Sequence, residues 1–204
     1  MKSLFINTSS FFMSIAILED NKVLYQKEEE MLTDMASRII PEIELSFKNV
    51  EFELEDIDKI FVVNGPGSFT GVRVGVTVAK MIGWALKKDV IPLSSLELLA
   101  TTSIDKEWCI AAIDARRGFV FAGVYNNNLD VIMPDQYIEK EKLEQYLANG
   151  IFVSYDNMEG TIKPSIDIAK IVEKHKNDVP VNPHALKPNY LKLTEAEEKK
   201  KENK

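Results

Sequence analysis

Eleven residues, Gly65-Pro66-Gly67-Ser68-Phe69-Thr70-Gly71-Val72-Arg73-Val74-Gly75, carry the densest chemical signal in this 204-residue chain. A glycine-rich link that opens a helix can cradle a phosphate, because backbone N–H groups and the helix N-terminus both face an anion there. Two nucleotide templates fail on it. A P-loop needs Gly-Lys followed by Ser or Thr, and Gly71 is followed by Val72; a dinucleotide fingerprint needs glycine three after Gly67, where Thr70 stands. Asn7-Thr8-Ser9-Ser10 follows the first apolar run and reads best as a polar turn. Cys109 sits in the apolar run Trp108 to Ile113, and its thiol has no histidine near in sequence to activate it. The two histidines, His175 and His184, lie nine residues apart around Pro180 and Pro183, which matches no metallopeptidase cluster. Asp114 and Arg116 face each other two apart in a turn; such a pair is worth at most about 1 kcal/mol at a surface, although it could contact a partner or substrate.

A packing role for the glycines competes with the phosphate reading and outranks it. Gly65 and Gly67 permit the angles of a sharp bend, Pro66 stiffens it, and Ser68 or Thr70 can cap the helix that follows. Within that helix Gly71, Gly75, Ala79 and Gly83 recur every fourth position. Rows at this spacing form the grooves through which helices pack. A glycine inside a helix costs up to about 1 kcal/mol against alanine, so three of them imply a close approach, within the fold or with a partner.

The elements that must position these residues follow from hydrophobic periodicity. Three short runs, Leu4–Ile6, Met13–Leu18 and Lys22–Lys27, predict an antiparallel meander. Ala36, Ile39, Ile40, Ile43 and Phe47 predict a helix over 33–47, capped by Thr33 and bent or restarted at Pro41. Lys59–Asn64 reads as a buried strand leading into the glycine turn and a long helix over 69–87. Val90–Leu93 predicts another strand, and Ser94 or Ser95 caps a helix over 96–102 with Glu97 in its first turn. Trp108–Ile113 and Phe119–Tyr125 form a hairpin around Asp114-Ala115-Arg116-Arg117-Gly118. Val131–Met133, a helix over 139–147, a strand over 151–155 and a helix over 166–174 complete an α/β protein with mixed sheets.

A net charge of −7 argues against a chain that grips nucleic acid unaided, because phosphate affinity comes from Lys and Arg. The N-terminal apolar run is too short for a secretory signal, and the longest apolar stretch, Phe69 to Leu86, contains Arg73 and Lys80 and so fails as a membrane span. With one cysteine, these features point to a cytoplasmic protein that makes no membrane contact.

The order of Leu4-Phe5-Ile6-Asn7-Thr8-Ser9, Ser37-Arg38-Ile39-Ile40-Pro41-Glu42-Ile43, Asp56-Ile57-Asp58-Lys59-Ile60, the glycine motif and Asp114-Ala115-Arg116-Arg117-Gly118 resembles the motif series of the TsaB (YeaZ) family. Pro188-Asn189-Tyr190-Leu191 is similar to that family's closing segment. The resemblance implies an actin-like, Hsp70-like ATPase (ASKHA, ribonuclease H-like) fold with two subdomains, the second reduced: 1–103, 104–190, then a charged tail over 191–204. It further implies a non-catalytic paralogue of the transferase TsaD, acting with TsaD and the ATPase TsaE to make N6-threonylcarbamoyladenosine in tRNA. The metal-binding histidines of that paralogue, spaced H-x-x-x-H after a strand ending in Ile-Pro, have no counterpart after Ile91-Pro92, and Met35 stands where a further family histidine falls. Asn7 replaces the aspartate that handles the nucleotide's metal in active members, keeping hydrogen bonds and losing charge. No catalytic residue, metal or intrinsic cofactor is therefore expected; ATP and metal belong to partner subunits, and tRNA is reached only through the complex. The family's contact with TsaD uses its first two helices, which assigns the interface to Ala36, Ile39, Ile40, Ile43, Gly71, Gly75, Ala79 and Gly83, with a homodimer possible when the chain is alone. Asn7, Thr8, Ser9, Gly65, Gly67, Ser68, Thr70, Arg73, Asp114 and Arg116 are the motif loop positions. The rival reading is a stand-alone ASKHA-type enzyme, a kinase-like ATPase or, more remotely, a metallopeptidase.

Overall fold

A computed structural model describes residues 1–31 and 33–192. The expected charged tail beyond residue 192 lies outside the described residues. The first sheet holds β1 (Lys2–Asn7), β2 (Phe12–Glu19), β3 (Lys22–Glu30), β4 (Lys59–Gly65) and β5 (Asp89–Ser94) in the order β3-β2-β1-β4-β5. The second holds β6 (Trp108–Asp114), β7 (Phe119–Asn126), β8 (Val131–Glu139), β9 (Gly150–Val153) and β10 (Thr161–Ile162) in the order β10-β9-β6-β7-β8. Read from the other edge, the second order is the first repeated: an antiparallel meander, then parallel strands added beside its first member. The chain therefore contains one sheet plan twice.

Strand period sorts the first core. Leu4, Ile6, Ile60 and Val62 point to one face, beneath α1 (Met35–Phe47) and α2 (Phe69–Ala85), while Phe5, Phe61 and Val63 point to the other. That second face is covered by α4 (Ile168–His175) through Ile168, Ile171 and Val172. The segment assigned from sequence to the second subdomain thus returns to the first sheet. α3 (Ser95–Leu99) lies between the sheets, with Leu96 and Leu99 against Cys109, Ala111 and Tyr125. The outer face of the second sheet is closed by Leu143 from a 3-10 segment over Lys140–Tyr146, where an α-helix was expected.

Three local expectations change. α1 starts at Met35 with Asp34 as its N-cap residue at φ 62°, and Thr33 donates to Asp34 Oδ2 at 3.0 Å instead of capping the helix. Ser37 Oγ closes the turn on Asp34 O at 2.8 Å. Pro41 lies inside α1 without breaking it; it is exposed, on the side where helix carbonyls can turn to water. Ser94, rather than Ser95, caps α3 by accepting from Leu96 N and Glu97 N, and α3 is shorter than the helix predicted over 96–102.

Candidate functional site

The glycine motif is a joint between the two ends of the first subdomain. Gly65 has φ 117°, and a Cβ there would stand 2.8 Å from Asn189 O, because the closing segment runs directly against it. A Cβ on Gly67 would overlap Ser9 O, whose carbonyl accepts from Ser68 N at 2.7 Å. Ser68 then caps α2 by accepting from Gly71 N at 3.2 Å; Thr70 is exposed. The Thr8 hydroxyl donates to Gly71 O at 2.7 Å and accepts from Gly75 N at 3.1 Å. It therefore bridges the two groups that an α-helix pairs four residues apart. Side chains at 71 or 75 would collide with Thr8, and one at Gly83 would meet Val90 and, at 3.4 Å, Pro183.

This corrects the expected interface. Gly71, Gly75, Ala79 and Gly83 pack against the chain's own β1, its following loop, β5 and the closing segment, and all four are buried. Ile39 and Ile43 lie in the core at 1% and 2% exposure. Of the eight residues assigned, only Ala36 and the half-buried Ile40 reach the surface. The outward row of α2 is Phe69, Arg73, Thr77 and Met81, followed by Trp84. It is displaced from the glycine row by two residues, about 200° around the helix axis, which makes it the opposite face. The signal was present in the sequence as a second row at four-residue spacing.

The two outward faces carry large apolar groups into solvent: Leu45 from α1 is 44% exposed, Phe69 56%, Met81 52% and Trp84 64%. A groove of about 390 Å3 runs between the helices, lined by Ala36, Phe69, Thr70, Arg73, Val74, Thr77 and Val78.

A second concavity, about 510 Å3, opens between the subdomains over Asn7, Ser9, Ser10, Thr70, Ser95, Tyr155 and Asp156. Its charged lining side chains among the described residues are Asp34 and Asp156 alone. Asn7 is 2% exposed, and its Oδ1 accepts from Ser9 N at 2.9 Å and Ser9 Oγ at 2.7 Å, a closed polar turn. At the second sheet's edge of this cleft, Asp114 N donates to Asp156 Oδ2 at 2.7 Å, and Asp114 Oδ1 accepts from Arg116 N at 2.8 Å. Asp114 therefore shapes the turn through backbone contacts, with Arg116 and Arg117 both left-handed at φ 66° and 57°.

Elsewhere, ionisable groups serve the fold. Burial pushes the Cys109 thiol up to about 12, far from nucleophilic character at neutral pH. The carboxyl of Asp135 is raised by burial; it accepts from Ser94 and Tyr125, tying the first subdomain to the second. His175 lies 2.9 Å from Glu97 and 2.7 Å from Asp178, and Glu97, with Asp178, raises its affinity for a proton. No group of three or more potential metal ligands occurs among the described residues, and no described helix is long and apolar enough to cross a membrane.

Two copies of one mixed-sheet plan, with α3 packed between them, define a protein of the actin-like, Hsp70-like ATPase fold. Residues 29–196 match the family described as TsaD, tRNA N6-adenosine threonylcarbamoyltransferase. The chain is 31% identical to a Bacillus subtilis protein named tRNA threonylcarbamoyladenosine biosynthesis protein TsaB, over 98% of this chain and 97% of that one. An Escherichia coli protein of the same name is 30% identical over 63% of this chain and 56% of its own. The solved structure of YeaZ from Pseudomonas aeruginosa superposes with a TM-score of 0.79 over 93% of this chain and 99% of that one, at 21% identity, a likeness of fold. The chain belongs to the TsaB family.

Proposed function

We propose that this protein is a non-catalytic subunit in the synthesis of threonylcarbamoyladenosine in tRNA, docking through α1 and α2 onto the transferase TsaD, with the ATPase TsaE joining the pair. The observation that carries the reading is the outward face of those helices. Phe69, Met81 and Trp84 expose more than half their surface on a single helix, and apolar surface concentrated this way marks a contact site. The cleft supports the non-catalytic half. Its lining holds no cationic side chain among the described residues, so nothing there offers a charge to a polyphosphate, and Asn7 directs its oxygen to Ser9. ATP and metal are then assigned to the partner subunits, and tRNA to the assembled complex. When no partner is present, the same apolar face can pair two copies of this chain.

The test is co-purification with TsaD and TsaE from the same organism, together with nucleotide turnover by the chain alone and by the mixture. The expected result is capture of TsaD, no turnover by the isolated chain, and turnover with all three present. Turnover by the chain alone, or failure to capture TsaD, rejects the reading.

A further inference from the structure

The closing segment, residues 179–192, crosses α2 and leaves its mark on the outward face. Val181 bridges to Val90 on the edge of β5, and Leu186 is buried in the core beneath α2. Asn189 N donates to Asn64 O at 2.7 Å, and Asn64 Nδ2 donates to Lys187 O at 3.2 Å. Lys80 Nζ reaches His184 O at 3.3 Å, and the His184 ring meets Trp84 edge-on at 5.9 Å. The anchor at Asn189 is the contact that requires glycine at position 65.

Tyr190, the next residue, is delivered beside Phe69, with ring centroids 5.8 Å apart and planes 27° from parallel. Arg73, one turn after Phe69, lays its guanidinium 3.6 Å from the Phe69 centroid and donates Nε–H to Tyr190 Oη at 2.7 Å. A long flexible cation is thus held by two aromatic rings, both themselves exposed, at 56% and 45%. Its two terminal nitrogens make no hydrogen bond or ion pair among the described residues, whereas Arg38 is engaged with Glu29 and Glu42. A guanidinium fork with its edge free and its rotamer fixed suits a carboxylate, because the entropy of ordering the side chain is already spent. Beside it lies the groove of Ala36, Val74 and Thr77, which takes an apolar stripe.

We infer that Arg73, pinned between Phe69 and Tyr190, selects a partner surface that presents a carboxylate next to an apolar helix stripe, and that the closing segment is part of the docking surface. This rests on the proposed docking function and names the chemistry of its partner, an acidic helical surface on TsaD. The occupant follows from charge: the chain carries −7 overall, yet this face offers a cation with no ion-pair partner among the described residues, ringed by apolar groups.

The test uses the full chain against purified TsaD from the same organism, with affinity measured at several salt concentrations and folding checked by thermal melts. Arg73→Ala is expected to weaken binding about tenfold or more, Arg73→Lys to recover only part of that, and Tyr190→Ala to weaken it several-fold by releasing the guanidinium, as hot-spot arginines and aromatics do. The wild-type affinity should fall with salt more steeply than that of Arg73→Ala. Unchanged affinity in both Arg73→Ala and Tyr190→Ala, with wild type bound, overturns this inference and leaves the docking function standing. No capture by wild type overturns both. If light scattering shows that Arg73→Ala dissociates a homodimer while TsaD affinity holds, the occupant is a second copy and the inference is again overturned.

Discussion

Thr8 shows how a single hydroxyl can dictate two distant glycines. It takes the Gly71 carbonyl and the Gly75 amide together, so the helix axis comes close enough to β1 that no Cβ fits at either position. Gly75→Ala should therefore lower stability by about 1–3 kcal/mol, the scale of overpacking in a filled core, read as a shift in urea midpoint. Its effect on partner capture should track only the folded fraction. His175 carries a second prediction at this scale. Glu97 and Asp178 raise its folded pKa above the ordinary 6.5, so the folded state binds the proton more tightly than the unfolded one. The stability this contributes is complete below pH 6.5 and is lost as pH rises through the raised value. His175→Gln should remove that decline in denaturation midpoints measured from pH 5.5 upward.

Among the elements, α1 is attached on one side by its core residues and on the other by charge. Glu42, nearly buried, meets Lys27 of β3 at 2.7 Å and Arg38 at 2.9 Å, with Glu29 closing the group. The hydrogen bond from Lys27, then that from Arg38, holds the Glu42 carboxyl below its usual 4.5. Its contribution is present above pH 4.5 and disappears as pH falls through the depressed value. Glu42→Gln should cost about 1–3 kcal/mol near neutral pH, discounted toward the low end because Lys27 and Arg38 remain partly in solvent, and should be neutral in strong acid. Chemical denaturation of both proteins in a series from pH 7 downward follows the loss of this difference.

For the molecule as a whole, the returning segments decide the architecture. α4 covers the far face of the first sheet, and Leu186 inserts under α2, so the end of the chain closes a subdomain begun at its start. Leu186→Ala should cost about 2–4 kcal/mol as a cavity in the core. Because the strap it anchors also positions Tyr190, the proposed binding to TsaD should weaken in the same variant at temperatures where it remains folded. Thermal melts paired with affinity measurements check both.

Strand and helix identities were legible because periods of 2 and 3.6 are local: alternation around Phe5 and Phe61, and the row of Ile39 and Ile43, needed no distant partner to be read. The glycine row of α2 was equally legible as a close-packing stripe, and Ser68 as one of two candidate caps for it. Which surface fills that stripe was not, since Thr8 lies 63 residues before Gly71 and nothing in either segment names the other. Nor could the 3-10 segment over Lys140–Tyr146 be told from an α-helix by hydrophobic spacing, as a single buried residue, Leu143, anchors it. By itself, then, the sequence determined most of the elements and the family. Only the tertiary structure decided that the glycines face inward, that Phe69, Arg73 and Trp84 face outward, and that Tyr190 joins them. Direction depends on contacts between residues far apart in the chain, and periodicity reports two faces of a helix without saying which one the protein keeps for itself.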